Sequence, residues 1–121
     1  MWIDGVHHQI SRKNAPVDPS TATAKYLSGV KAADIPALYA MASTQQRSAM
    51  TLAQFTTAVS GGGAFTGITD AVSTGPAQVS ANESGTWYAS TPIRVTRGTA
   101  AQDGTVVLVW DSGQWRVFTV R

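Results

Sequence analysis

A chain of 121 residues, 43% of them hydrophobic, holds enough apolar material for one core and is the size of a single domain. Charged residues make up only 13%, the net charge is +2, and the Lys and Arg residues are scattered, unlike the basic stripe of a nucleic-acid binder. The absence of cysteine excludes a disulfide framework and thiol-ligated metal, and no run nears the roughly 18 apolar residues of a membrane span.

Residues 1–19 read as a leader, extended or flexible, because Pro16 and Pro19 bracket Val17 and Asp18 and the polar run before them has no sustained period. The opening MWIDGVHHQISRK lacks a signal peptide's apolar stretch, although Trp2, Ile3 and Val6 can dock on a domain. His7 and His8 are adjacent, so on an extended chain they face opposite ways, and no carboxylate stands at a supporting spacing. A terminus is the better reading than a metal site, and no cofactor is expected.

A single domain is expected over residues 20–121. Its first helix starts at Ser20 or Thr21 and runs to about Val30, with Ala24, Leu27 and Val30 or Lys31 on one face. Asp34 then caps a second helix with Pro36 in its first turn and Leu38, Tyr39, Met41 and Ala42 as its apolar side. Ser43 to Met50 is polar and short, a turn or one helical turn. Thr51-Leu52-Ala53-Gln54 matches a capping box, opening a helix that carries Leu52, Phe55 and Val59. Gly61-Gly62-Gly63 stops that helix; no Lys-Ser/Thr follows to make it a phosphate cradle.

Beyond the glycines the texture turns to β. Expected strands are Phe65–Val72, Ala77–Ala81, Thr86–Ser90 and Ile93–Arg97, broken at Gly75-Pro76, Asn82–Gly85 and Pro92. Asn82-Glu83-Ser84 also fits the short glycosylation pattern. Gln102-Asp103-Gly104 reads as a turn into the closing hairpin, GTVVLVWDSGQWRVFTVR. Its first run is almost wholly apolar, which suits a central strand covered on both faces. Its second alternates, which suits one wet and one dry face. Helices followed by antiparallel strands make an α+β fold, read here as a strongly bent sheet with the helices in its concave face, Trp87, Trp110 and Trp115 against them.

The segments Tyr26-Leu27-Ser28-Gly29-Val30-Lys31-Ala32-Ala33-Asp34, Leu38-Tyr39-Ala40-Met41, Met50-Thr51-Leu52-Ala53-Gln54-Phe55 and Asp111-Ser112-Gly113-Gln114-Trp115-Arg116-Val117 share an order and spacing with a known group. Over about residues 20 to 121 the chain resembles the nuclear transport factor 2-like (cystatin-like α+β cone) superfamily. In style it is similar to small exported or lipoprotein-borne domains of actinobacteria and to domains of secretion and conjugation machinery. The resemblance implies a cone-like fold and an extracytoplasmic or cell-envelope location, as the soluble part of a longer anchored protein, with a cytoplasmic location as the alternative. The superfamily holds isomerases, dehydratases and non-catalytic binding domains, so the fold alone does not assign a function.

Catalytic members of that superfamily place carboxylates, His or Tyr inside the cone. Here Ala42-Ser43-Thr44-Gln45 has no acid, no His follows His8, and Asp34, Asp70, Glu83, Asp103 and Asp111 each have a cap, turn or loop explanation. The expected function is therefore a non-enzymatic binding or assembly domain with a protein partner or self-association. The alternative is a small-molecule binder or isomerase/dehydratase-type enzyme with a small apolar ligand. For it, the pocket candidates are Tyr26, Tyr39, Met41, Phe55 and Asp70, with an acid–Tyr pair to move a proton; the plainer reading makes them core residues. Arg94, Arg97 and Arg116, with Arg121, are candidates for an interaction face on the sheet, set against ordinary solvated strand faces.

Overall fold

The structure, a computed structural model, describes residues 16–61 and 65–121. Expectations for His7, His8, Trp2, Ile3 and Val6, and for Gly62 and Gly63, fall outside those residues.

Helix α1 spans Ser20–Ala32 and buries Thr23, Leu27, Gly29 and Val30. Its stripe begins at Thr23 rather than Ala24, and the Thr23 hydroxyl is satisfied by donating to the Pro19 carbonyl at 3.1 Å. Gly29 is where α1 meets Leu38: a Cβ there would lie 2.9 Å from Leu38 Cδ2. Ala33 takes a left-handed conformation, φ 52°, and closes the helix. The Asp34 N–H then donates to Gly29 O and the Ala33 N–H to Val30 O, the pair of bonds of a Schellman end.

Asp34 caps α2, Ile35–Ala40, by accepting from the Ala37 N–H at 3.3 Å, with Pro36 in the first turn as expected. Ser43 caps α3, Thr44–Ala49, the short polar segment. The Thr51–Gln54 box is present in both directions, at 2.9 and 3.2 Å, and opens α4, Leu52–Gly61. Among the described residues no helix is long and apolar enough to cross a membrane.

Five antiparallel strands follow in a sheet that is not closed: β1 Asp70–Ser73, β2 Gln78–Ala81, β3 Trp87–Arg97, β4 Ala100–Asp111 and β5 Gln114–Val120. Strands β1 and β2 lie in tandem along one side of β3, β4 takes its other side, and β5 pairs with β4. The fold is thus α+β, with four helices before the sheet among the described residues.

Three strand expectations are corrected. Phe65–Thr69 is not strand; Gly67 at φ 73° turns the chain, and Phe65 and Ile68 fold onto the core instead. Pro92 does not divide β3. Its carbonyl accepts from Thr74 N–H just past the end of β1, and N and O of an extended residue point to the same side, so the missing N–H forgoes only the return bond to Thr74, outside both β1 and β2. The turn expected at Gln102–Gly104 lies instead at Gly98-Thr99, between the paired Arg97 and Ala100, where Gly98 supplies φ 62°.

The closing hairpin forms as read. Asp111 pairs with Gln114 across Ser112 (φ 56°) and Gly113 (φ 80°), the double positive φ of a type I′ turn. Val106 to Val109 are all buried, the central strand covered on both faces. Strand β5 carries a bulge, for Val107 pairs with Thr119 while Leu108 pairs with Val117. The extra residue, Phe118, resets the alternation so that Val117 and Val120 share the core side with Trp115. Leu27, Val30, Leu38, Ile93, Val106, Leu108, Trp115 and Val117 form one buried cluster, with Trp87 and Trp110 packed against it.

The chain after α2 straps the outer edge of β5. Val117 N–H donates to Met41 O at 2.7 Å, and Ser43 N–H donates to Val117 O at 3.0 Å. One residue further, Asp111 Oδ2 accepts the Thr44 N–H at 2.6 Å and ties α3 to the hairpin. That N–H, then the Thr44 hydroxyl, holds the Asp111 carboxyl below its usual range. A depressed folded pKa stabilises the fold above the unfolded value, about 3.9, and the contribution is lost as pH falls through the folded value. Asp111→Asn is expected to lower Tm at pH 7 by roughly 3–6 °C and to remove part of the acid-side fall in stability; thermal melts from pH 7 to pH 2 read both.

Candidate functional site

The sequence-derived pocket residues do not share one cavity. Tyr26 lines a pocket of about 230 Å³ between α1 and the sheet, with Phe65, Ile68 and Val95 as apolar wall and Arg97 and Gln102 as polar groups. Burial raises the Tyr26 pKa, so its hydroxyl stays neutral and can only donate or accept a hydrogen bond. Tyr39 sits elsewhere, its hydroxyl donating to Met50 O at 2.6 Å, within 3.2 Å of Arg47 O, and its ring tilted on Phe55 at 5.6 Å. These bonds tie α2 to the chain that enters α4; they are structural. Asp70 faces Lys31 of α1 at 3.3 Å and pairs in register with Thr96. No acid–tyrosine pair is formed by Tyr26, Tyr39 and Asp70. Met41 lines a third place, between the helices and the hairpin.

The arginines also part company. Arg94 lies opposite Asp103 on β4 and grips it through two nitrogens, at 2.7 and 3.2 Å. The contact pushes the Arg94 pKa up and the Asp103 pKa down. Asp103 is therefore a strand residue balancing a cation, not the turn residue the Asp-Gly pair implied. Arg97 shares the face of Val95 and Ile93 and donates through Nε to Thr66 O at 3.3 Å, so it belongs to the Tyr26 pocket. Arg116 reaches over the edge of β5 and donates to Ala40 O at 2.9 Å. The three do not form one positive face.

What the sheet presents on its other side is apolar and neutral. The strand pairings put Tyr88, Ser90, Pro92 and Arg94 of β3 beside Val109, Val107, Thr105 and Asp103 of β4, with Thr119 of β5 next in line. Tyr88 meets Phe118 edge to face at 5.5 Å. The two rings stand by Val107 and Val109, which are 4% and 8% exposed although no residue of the helix-side core cluster lies on this face. Phe118 itself is 45% exposed. Sequence reading missed this pair: alternation from Trp115 and Val117 puts Phe118 outward, but that Tyr88 of β3 stands against it depends on strand pairing across the sheet.

Among the described residues there is no histidine, and no group of three metal-ligating side chains gathers. No protein family and no curated protein matches this chain.

Proposed function

We propose that this chain is a non-enzymatic assembly domain of the cone-like type, a protein-interaction module of an extracytoplasmic, secretion- or conjugation-type system, and that it self-associates through the outer face of its sheet. One observation carries the reading: the Tyr88–Phe118 pair, with Phe118 45% exposed, on a face that also carries Ser90, Pro92, Thr105, Val107 and Thr119. Aromatic anchors at the middle of a contact supply most of its binding energy. The charged positions of this face balance, Arg94 against Asp103 and, toward the hairpin end, Arg116 against Asp111. A two-fold contact sets a patch against its own copy, so a patch without net charge meets no like-charge repulsion. The resemblance noted above supports an assembly role in the same direction. The enzyme alternative has less support, since its tyrosines and acid are spread over separate contacts.

Sedimentation velocity across a concentration series is expected to show a reversible dimer. Phe118→Glu should weaken it by about 30-fold or more while leaving the circular dichroism unchanged. A wild-type chain that stays monomeric into the millimolar range removes the self-association reading, as does a variant that dimerises equally well.

A further inference from the structure

A second cavity, unrelated to the outer sheet face, lies between the first half of α1, the end of α2 and the β4–β5 hairpin. Its volume is about 550 Å³, within the range of small-molecule sites. Trp110 and Trp115 line it, their rings crossed edge to face at 5.4 Å, with Met41 beside them. Trp115 is fixed, because its indole N–H donates to Val17 O at 2.6 Å. The apolar wall is therefore mainly aromatic and, at Trp115, held in place.

The charges around it are one-sided. Lys25, Arg47 and Arg116 line the cavity against a single lining carboxylate, Asp18, which is occupied by the Ser20 N–H at 2.9 Å; Asp111, outside the lining, is near enough to Arg116 to feel its charge but is held by the Thr44 N–H. None of the three cations is ion-paired among the described residues. Both arginines are instead steadied by main-chain carbonyls near the end of α2: Arg47 Nε by Ala42 O at 3.2 Å and Arg116 Nη1 by Ala40 O at 2.9 Å. Arg116 Nε is buried with no hydrogen-bond partner. A buried donor left unpaired is costly, and an incoming acceptor offsets that cost. A planar guanidinium held in place at one nitrogen keeps its other donors in the fork that suits a carboxylate.

We infer that this cavity is a binding site for an aromatic organic anion, its ring against Trp110, Trp115 and Met41 and its carboxylate among Lys25, Arg47 and Arg116. Two competing occupants fit less well. A neutral apolar molecule leaves three unpaired cations around the site. Residues 1–15 of the chain carry Arg12 and Lys13 against Asp4 alone, an excess of positive charge where negative charge is called for.

The test uses the full chain and two probes, 1-naphthaleneacetate and its neutral amide, titrated while the indole N–H signals of Trp110 and Trp115 are followed by two-dimensional NMR. The acid is expected to shift both signals and bind with a Kd of about 1 mM or tighter. The amide should bind at least ~10-fold more weakly, and added salt should weaken the acid alone. Lys25→Gln, an exposed change that spares the fold, should weaken the acid about 3- to 10-fold and leave the amide unaffected; Arg47→Gln provides the second variant. Equal binding of acid and amide overturns the inference, as does an acid titration insensitive to Lys25→Gln and Arg47→Gln. Indole signals that move with neither probe show a cavity closed or filled by the chain itself, and overturn it too.

Discussion

Trp115→Ala is expected to lower Tm by roughly 15–25 °C, from a loss of about 3–5 kcal/mol. Trp115 is 6% exposed and belongs to the main buried cluster. Its ring packs edge to face on Trp110, and its N–H donates to the Val17 carbonyl. Truncation would thus remove the aromatic volume, take away the donor that holds the Val17 carbonyl, and release the residues that lead into α1. Trp115→Phe separates these effects: most of the apolar burial stays and the hydrogen bond goes, so a drop of about 1 kcal/mol or a little more is expected. Differential scanning calorimetry of the three proteins decides. A fall of less than about 5 °C for the alanine variant would show that the hairpin and α1 are held mainly by other contacts.

The readable part of this fold was local. Asp34 before Ile35-Pro36 and Thr51 with Gln54 are each a side chain answering its own neighbouring backbone, and Asp111-Ser112-Gly113 is a turn set by its own φ angles, so no distant contact was needed to interpret them. The misread positions were those whose meaning lies across the sheet. Asp103-Gly104 looks like a turn, yet Asp103 faces Arg94 and Gly104 gives room to a neighbouring strand. Pro92 looks like a strand breaker, yet it stands where two short strands leave a gap. The site suffered most. Tyr26, Tyr39, Met41, Phe55 and Asp70 were grouped by residue type, and nothing along the chain tells which of them share a cavity. The Trp110, Trp115 and Met41 wall with Lys25, Arg47 and Arg116 draws on α1, the chain after α2, α3 and the hairpin, so its signal exists only in three dimensions.

Gly104→Val separates local propensity from that long-range geometry, because the two disagree in sign. Valine is a strand former and glycine in a strand interior is a weak one, so propensity alone expects stabilisation. The backbone says otherwise. A Cβ at Gly104 would lie 2.8 Å from the carbonyl oxygen of Arg121, and Thr105 and Arg121 exchange two hydrogen bonds, at 2.8 and 2.9 Å. The obstacle is main chain, which cannot rotate aside as a side chain can. Accommodating it means pushing the end of β5 away from β4, at a cost of about 1–3 kcal/mol or a Tm lower by roughly 5–15 °C. Gly29→Ala is the control, since there the near atom is Leu38 Cδ2 at 2.9 Å, the far end of a flexible side chain. Faster hydrogen exchange at the Thr105 and Arg121 amides should accompany the Gly104 change and not the Gly29 change. A higher Tm for Gly104→Val would mean that the end of β5 yields without cost, and that this glycine is kept for the room it leaves beside Tyr26 and Arg97 in the helix–sheet pocket rather than for the pairing of the last two strands.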